Sequence, residues 1–381
     1  MYKNFQTKLY DIKLLWVTIC LILIGTTMII SSSISIAEHI YHDIFIFVKK
    51  QSLYLIILLF LFKIFLNIPI SFWKKNNKII LFFSIITLLL VLIFGHSING
   101  ASRWITINYS ISMQPSELAK LSIFFYLSDY LSRKHSEIIS NFWGFYKPII
   151  IISLISILLL AEPDLGSVTI ILLTTISILF ILGTKIWKFL FIVLMFLITF
   201  ISLIIHTPYR IKRIISFLHP WEDPFGKGYQ LTQSLMALGR GNVFGTGLGN
   251  SIQKLEYLPE AYTDFILSII GEELGYIGIC IILSMLFFVS FRAIQIGKKS
   301  LKYKNMFSGY LAISIGLWLI FQTLINVGTT IGLLPTKGLT LPLISYGGSS
   351  LIIASISIMI LLRIDFESRI TQIQAFQKNN I

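Results

Sequence analysis

Between Leu255 and Gly278 the chain carries five acids: Glu256 and Glu260 in a loop, Asp264 where a long apolar helix begins, and Glu272 and Glu273 inside it. A carboxylate held at such a mouth can take the proton from an attacking hydroxyl. It also suits the positive end of a helix dipole, so position alone does not separate the two roles. Basic residues of complementary type recur elsewhere. Arg103 stands in Gly100-Ala101-Ser102-Arg103-Trp104, Lys120 in Pro115-Ser116-Glu117-Leu118-Ala119-Lys120, and Lys337 in Pro335-Thr336-Lys337-Gly338. Arginine and lysine neutralise phosphate oxygens, so the set suits a substrate that carries a pyrophosphate and many hydroxyls. A lipid-linked sugar has both features, and an enzyme or a carrier of a polyprenyl-phosphate substrate would need the same groups.

The elements that must position these residues are membrane helices. The chain has 381 residues, of which 55% are hydrophobic and only 13% charged, with a mean hydropathy of +0.83. Soluble domains carry roughly a quarter charged residues, which excludes that class. The apolar runs are continuous rather than alternating, which excludes a transmembrane barrel. Ten spans are expected, at roughly 13–33, 52–72, 78–95, 116–131, 147–162, 166–183, 186–206, 264–292, 306–333 and 342–363. With the N-terminus inside, nineteen Lys and Arg fall in cytoplasmic segments and only Lys49, Lys50, Arg103 and Lys337 in short outer loops. Both termini are therefore predicted cytoplasmic. The net charge of +14 follows this loop asymmetry and is no nucleic-acid footprint. Cys20 and Cys280 fall inside apolar runs and form no metal or disulfide pattern.

One long outer loop, 207–263, interrupts the short connections, and such length usually serves function. Its Arg210, Arg213 and Arg240 are candidate pyrophosphate contacts. The glycines of Gly245-Thr246-Gly247-Leu248-Gly249 lack the spacing and preceding strand of a dinucleotide site. They would let the loop fold tightly, or let backbone amides approach phosphate. Glu117 and Lys120, three apart, can pair on one helix turn. Glu162-Pro163-Asp164 reads as a capped turn, Asp129 and Arg133 as a surface pair, and His39 and His42 as solvated loop. Gly271 and Gly275 give the eighth span a small face for close helix packing, with Glu272 and Glu273 facing protein or trapped water.

At Pro115–Lys120, Glu162–Ser167, the 256–278 stretch and Ile344-Ser345-Tyr346-Gly347-Gly348-Ser349-Ser350, the chain resembles the SEDS family of shape, elongation, division and sporulation proteins, which includes RodA and FtsW. The resemblance covers essentially the whole chain, with the motifs in order and the same ten-span plan. The wording of Gly228–Gly239 and the double serine Ser349-Ser350 is more similar to the division branch, FtsW, than to the elongation branch. The resemblance implies a single-domain, all-α peptidoglycan glycosyltransferase of the inner membrane at the division septum, with its active site on the periplasmic face. It implies polymerisation of lipid II onto a lipid-linked glycan, with Asp264 as catalytic base. It further implies supporting roles for Arg103, Glu117, Lys120, Glu256 and Lys337. No cofactor is required by the sequence, although Mg²⁺ or another divalent cation could share the pyrophosphate charge. The implied partners are an FtsI-like class B penicillin-binding protein and other division proteins, with no nucleic acid. The rival readings are a lipid II flippase, a RodA-type elongation synthase and a recruiting scaffold.

Overall fold

The computed structural model describes residues 10–98, 101–107, 111–184, 187, 188, 190, 193, 194, 217–226, 228–335 and 338–379, with 96–98, 101, 102, 106, 107, 111, 112, 142 and 375–379 described by backbone alone. Most of the expected seventh span, with Arg210, Arg213 and Lys337, lies outside the described residues. The chain is an all-α polytopic membrane protein with one small sheet at the end of the helix bundle. In order, the helices are α1 (Ile12–Tyr41), α2 (Ile46–Asn67), α3 (Ile70–Phe94), α4 (Pro115–Arg133), α5 (His135–Ser140), α6 (Phe142–Ala161), α7 (Leu165–Ile181), α8 (Tyr229–Gly241), α9 (Ile266–Lys302), α10 (Met306–Thr330) and α11 (Gly348–Asn379). One of these helices overlaps every expected span but the seventh, of which the described residues 187, 188, 190, 193 and 194 are helical. Six of the described helices, α1, α3, α6, α9, α10 and α11, are long and apolar enough to cross a membrane.

Local chemistry sets several boundaries. Pro115 occupies the first turn of α4, where its missing N–H costs nothing. Asp164 caps α7, accepting from the Ser167 amide at 3.1 Å and the Ser167 hydroxyl at 2.7 Å, as the capped-turn reading required. Other boundaries move. Helix α1 continues to Tyr41, so His39 lies on a helix rather than in a loop. The last helix begins at Gly348, not near 342, because the preceding backbone is bonded elsewhere. The Leu341 amide donates to the Ser345 hydroxyl and the Tyr346 amide to the Tyr262 carbonyl. The segment before α4 is not a bare loop: β1 (His96–Ile98), β2 (Ala101–Ile107) and β3 (Ile111–Met113) form an antiparallel sheet in sequence order.

Helix α10 lies at the centre, packed on α9, α4 and α7, and α4 is buried along almost its whole length. At the end of the bundle, Phe47 of α2 packs on Tyr262 and Tyr346, with ring centroids 4.8 and 5.2 Å away. This aromatic cluster joins α2 to the stretch before Asp264 and to the Ile344–Ser350 segment.

Helix α9 is broken at Gly275, whose φ of 70° and ψ of −170° are open only to glycine. The break frees ladder groups, and residues of the glycine-rich loop take them up. The Glu272 and Glu273 carbonyls accept from the amides of Thr246 and Gly247, while the Tyr276 and Ile277 amides donate to the carbonyls of Asn242 and Val243. Four groups at the break are thus bonded by the loop instead. The small face at Gly271 and Gly275 receives the end of helix α8, a close helix approach as the spacing implied, together with this loop. A Cβ at Gly275 would lie 2.3 Å from the Gly245 nitrogen. Gly275→Ala is expected to destabilise the protein by about 3 kcal/mol or more, from backbone strain and overpacking together. A thermal melt in detergent reads the loss.

Candidate active site

Asp264 and Arg103 meet at Gly338. A point one Cβ away from Gly338 lies 3.2 Å from Asp264 Oδ2 and 3.5 Å from Arg103 Nη1. Asp264 stands two residues before α9 and is partly exposed, and the N-cap position of the helix is taken by Phe265. Arg103 comes from β2, 161 positions earlier in the chain. Its Nε donates to the Glu162 carbonyl at 3.2 Å and its Nη2 to the Pro163 carbonyl, which locks the guanidinium plane and leaves Nη1 toward Gly338. A fixed cation beside a partly exposed carboxylate can hold a phosphate while the carboxylate accepts a proton.

The Glu117–Lys120 pair is real and entirely internal. Lys120 Nζ reaches Glu117 Oε1 at 2.9 Å, with the lysine 0% and the glutamate 4% exposed. Lys120 also donates to Gln322 Oε1 at 3.2 Å and lies 5.3 Å from the Trp318 ring centroid. Gln322 in turn donates to the Thr340 carbonyl at 2.9 Å. The pair therefore touches the site through Gln322 and the 338–340 segment. The hydroxyls of the Ile344–Ser350 motif reinforce that wall: Ser350 bonds Thr340 Oγ1 at 2.8 Å, and Ser349 accepts from the Gln114 amide at the mouth of α4.

Glu272 and Glu273 are fully buried and organise the long loop. Glu272 accepts from Arg240 Nη1 at 2.7 Å, from the Ser251 hydroxyl, and from the amides of Ile252 and Gln253. Glu273 pairs with Lys254 at 2.7 Å and accepts from Ser31 at 2.7 Å. Loop amides at 246, 247, 252 and 253 are thus spent on α9, which favours the tight-folding role of the glycines over phosphate contact at those positions. Arg240 remains half-exposed beyond its bond to Glu272. Glu256 lies against α1, 3.4 Å from His39 Nδ1, both substantially exposed. The Asp129–Arg133 pair at 2.9 Å is not a surface pair, because Asp129 is buried and only the arginine reaches solvent.

Glu162 is the unexpected member. It follows α6 at the turn gripped by Arg103, is 0% exposed, and neither carboxylate oxygen has a hydrogen-bond partner among the described residues. Burial pushes its pKa up to about 8; Asp164 adds to the shift and Arg103 opposes it. The folded chain then holds a proton that the unfolded chain releases above its ordinary value of 4.5. Stability accordingly falls as pH rises from about 4.5 to about 8 and levels off beyond. Glu162→Gln, which mimics the protonated acid, is expected to remove that slope and to melt above the parent protein at pH 8.5. Melting curves at pH 6 and 8.5 test this. Among the described residues no group of three or more His, Cys, Asp or Glu side chains gathers to hold a metal ion.

Sequence reasoning missed Gln322, Asn326 and Trp318 of α10. The available signal was two amides four residues apart in the middle of an apolar span, a costly placement that calls for partners.

Helices of this kind, with an acid and a guanidinium brought together at one end of the bundle, define a multi-pass membrane protein with a polar surface site. Residues 12–370 match the profile of the FtsW/RodA/SpoVE cell cycle proteins, and the chain belongs to that family. It is 71% identical over 381 residues to a probable peptidoglycan glycosyltransferase FtsW of Buchnera aphidicola subsp. Baizongia pistaciae, covering 100% of both chains. It is 53% identical over 372 residues to the protein of the same name in Escherichia coli O6:H1, covering 98% of this chain and 90% of the other. Among solved structures it shares its fold with Thermus thermophilus rod shape determining protein RodA (TM-score 0.69, 24% identity, 95% and 98% of the two chains). It also matches a chain in a peptidoglycan synthase complex that coordinates polymerization and crosslinking (TM-score 0.77, 24% identity, 94% and 98%).

Proposed function

We propose that the chain is an inverting peptidoglycan glycosyltransferase that polymerises lipid II into β-1,4-linked glycan for septal wall synthesis, with its site on the periplasmic face of the inner membrane. The observation that carries the reading is the convergence of Asp264 Oδ2 and Arg103 Nη1 on Gly338. Asp264 takes the proton from the 4-hydroxyl of the N-acetylglucosamine of lipid II. That oxygen attacks the anomeric carbon of the N-acetylmuramic acid at the lipid end of the growing glycan. The bond from that carbon to undecaprenyl pyrophosphate breaks with inversion, α to β. The departing pyrophosphate carries the bond's electron pair, and Asp264 later returns its proton to water. Arg103, fixed by the turn at Glu162 and Pro163, and Lys337 neutralise the leaving charge, with the half-exposed Arg240 as a further candidate contact. A divalent cation arriving on the phosphate oxygens would add to that neutralisation.

Cross-linking falls to a partner of the class B penicillin-binding type, and the relatives' assembly into a polymerising and crosslinking complex supports such a pairing. The test is polymerisation of labelled lipid II by the purified chain, with and without that partner. Glycan ladders on a gel are expected. Translocation of lipid II across vesicles without polymer would assign a carrier instead.

A further inference from the structure

Helix α10 presents two amides one turn apart, Gln322 and Asn326, each 1% exposed and each bonded to the backbone that walls the site. Asn326 Nδ2 donates to the Asp264 carbonyl at 2.9 Å and to the Leu339 carbonyl at 2.7 Å. Gln322 accepts from Trp318 Nε1 at 2.6 Å and Lys120 Nζ at 3.2 Å and donates to the next carbonyl, that of Thr340. The partners fix both amide orientations, since only the nitrogen can face a carbonyl. Asn326 Oδ1 is buried with no partner among the described residues, so half of this polar group is left unsatisfied. A buried amide kept at that cost serves through its two donated bonds.

Those two bonds join two sides of the site. One side is the backbone that carries the Asp264 carboxylate. The other is the 338–340 segment, whose first residue lies close to both Asp264 Oδ2 and Arg103 Nη1. We infer that Asn326 is a positioning residue of the transfer centre, setting the separation of the Asp264 carboxylate from the segment that follows Lys337, while Gln322 ties the same segment to the buried Lys120–Glu117 pair. This rests on the reading of Asp264 as the base. Misplacing a reacting group by about 1 Å can cost about 10²-fold in rate, and the loss falls on turnover rather than on substrate binding.

The experiment compares Asn326→Ala, Asn326→Asp, Ser314→Ala and Asp264→Asn in lipid II polymerisation, each rate expressed per folded molecule from its melt. Ser314 is equally buried on the same helix, but its hydroxyl bonds only within the helix, to Tyr310. Asn326→Ala is expected to lower kcat by about 30- to 100-fold with KM for lipid II within about threefold of the parent, while Ser314→Ala leaves both unchanged. Asn326→Asp keeps the volume but turns an acceptor toward two carbonyls, and it regains one donor when the introduced carboxyl is protonated. Its activity relative to the parent should therefore rise as pH falls, a response that lost packing alone would not give. A kcat for Asn326→Ala within about threefold of the parent, or a change confined to KM, overturns the inference. If Asp264→Asn is inactive while Asn326→Ala turns over normally, the base assignment stands and only the positioning role fails. If Asp264→Asn turns over normally, the base assignment fails, and the positioning role with it.

Discussion

Asparagine in place of Asp264 is expected to lower lipid II polymerisation by about 10²- to 10⁴-fold, the range supplied by a positioned general base. The change preserves the side chain's size and leaves its backbone carbonyl free to accept from Asn326, so the protein should remain folded in the membrane. Lipid II binding should hold or tighten, because an anionic carboxylate no longer faces an anionic substrate. Gel-resolved glycan ladders report turnover, and a melt confirms the fold. Turnover within about tenfold of the parent would reassign the proton acceptor. Charge arrangement makes this the most informative single change: Arg103 is held by two carbonyls on its far side, so it stays in place when its anionic neighbour is neutralised.

The second large effect is on stability. Lys120→Met should cost about 3–5 kcal/mol, because it strands a buried carboxylate rather than removing a surface contact. Glu117 has Lys120 at 2.9 Å on one oxygen and no partner on the other among the described residues. The same change deprives Gln322 of one donor, leaving Trp318 to hold its oxygen. Adding Glu117→Gln removes the stranded charge, so the double variant is expected to recover most of the loss. Melting temperature in detergent and yield in membranes read both proteins. A Lys120→Met protein that melts within roughly 2 °C of the parent would mean that water reaches the pair.

Much of the architecture was legible in the sequence, because hydrocarbon admits few solutions. A continuous apolar run with no water available must satisfy its backbone internally, so each such run becomes a helix. The same rule singled out the charged residues, since acids and bases in such a chain are too costly to be casual. Asp264, Arg103, Glu117 and Lys120 were visible on that ground, and the motifs at Pro115–Lys120 and Ile344–Ser350 carried the family likeness.

What the residues touch was decided only by the folded chain. Spacing showed that Glu117 and Lys120 share a helix turn, but not that both are buried and joined through Gln322 to Thr340. The glycines at 271 and 275 advertised a close approach, and the partners proved to be the end of α8 and a loop that takes up hydrogen bonds of a broken helix. Glu162 read as part of a turn; tertiary burial alone removes its solvent and raises its pKa. Periodicity tells which face of an element is inward, because that depends on neighbours three and four residues away. Arg103 meets Asp264 and Asn326 meets Leu339 and Asp264 only when distant segments close on one another, and those meetings are set by the packing of α4, α9 and α10 as whole bodies.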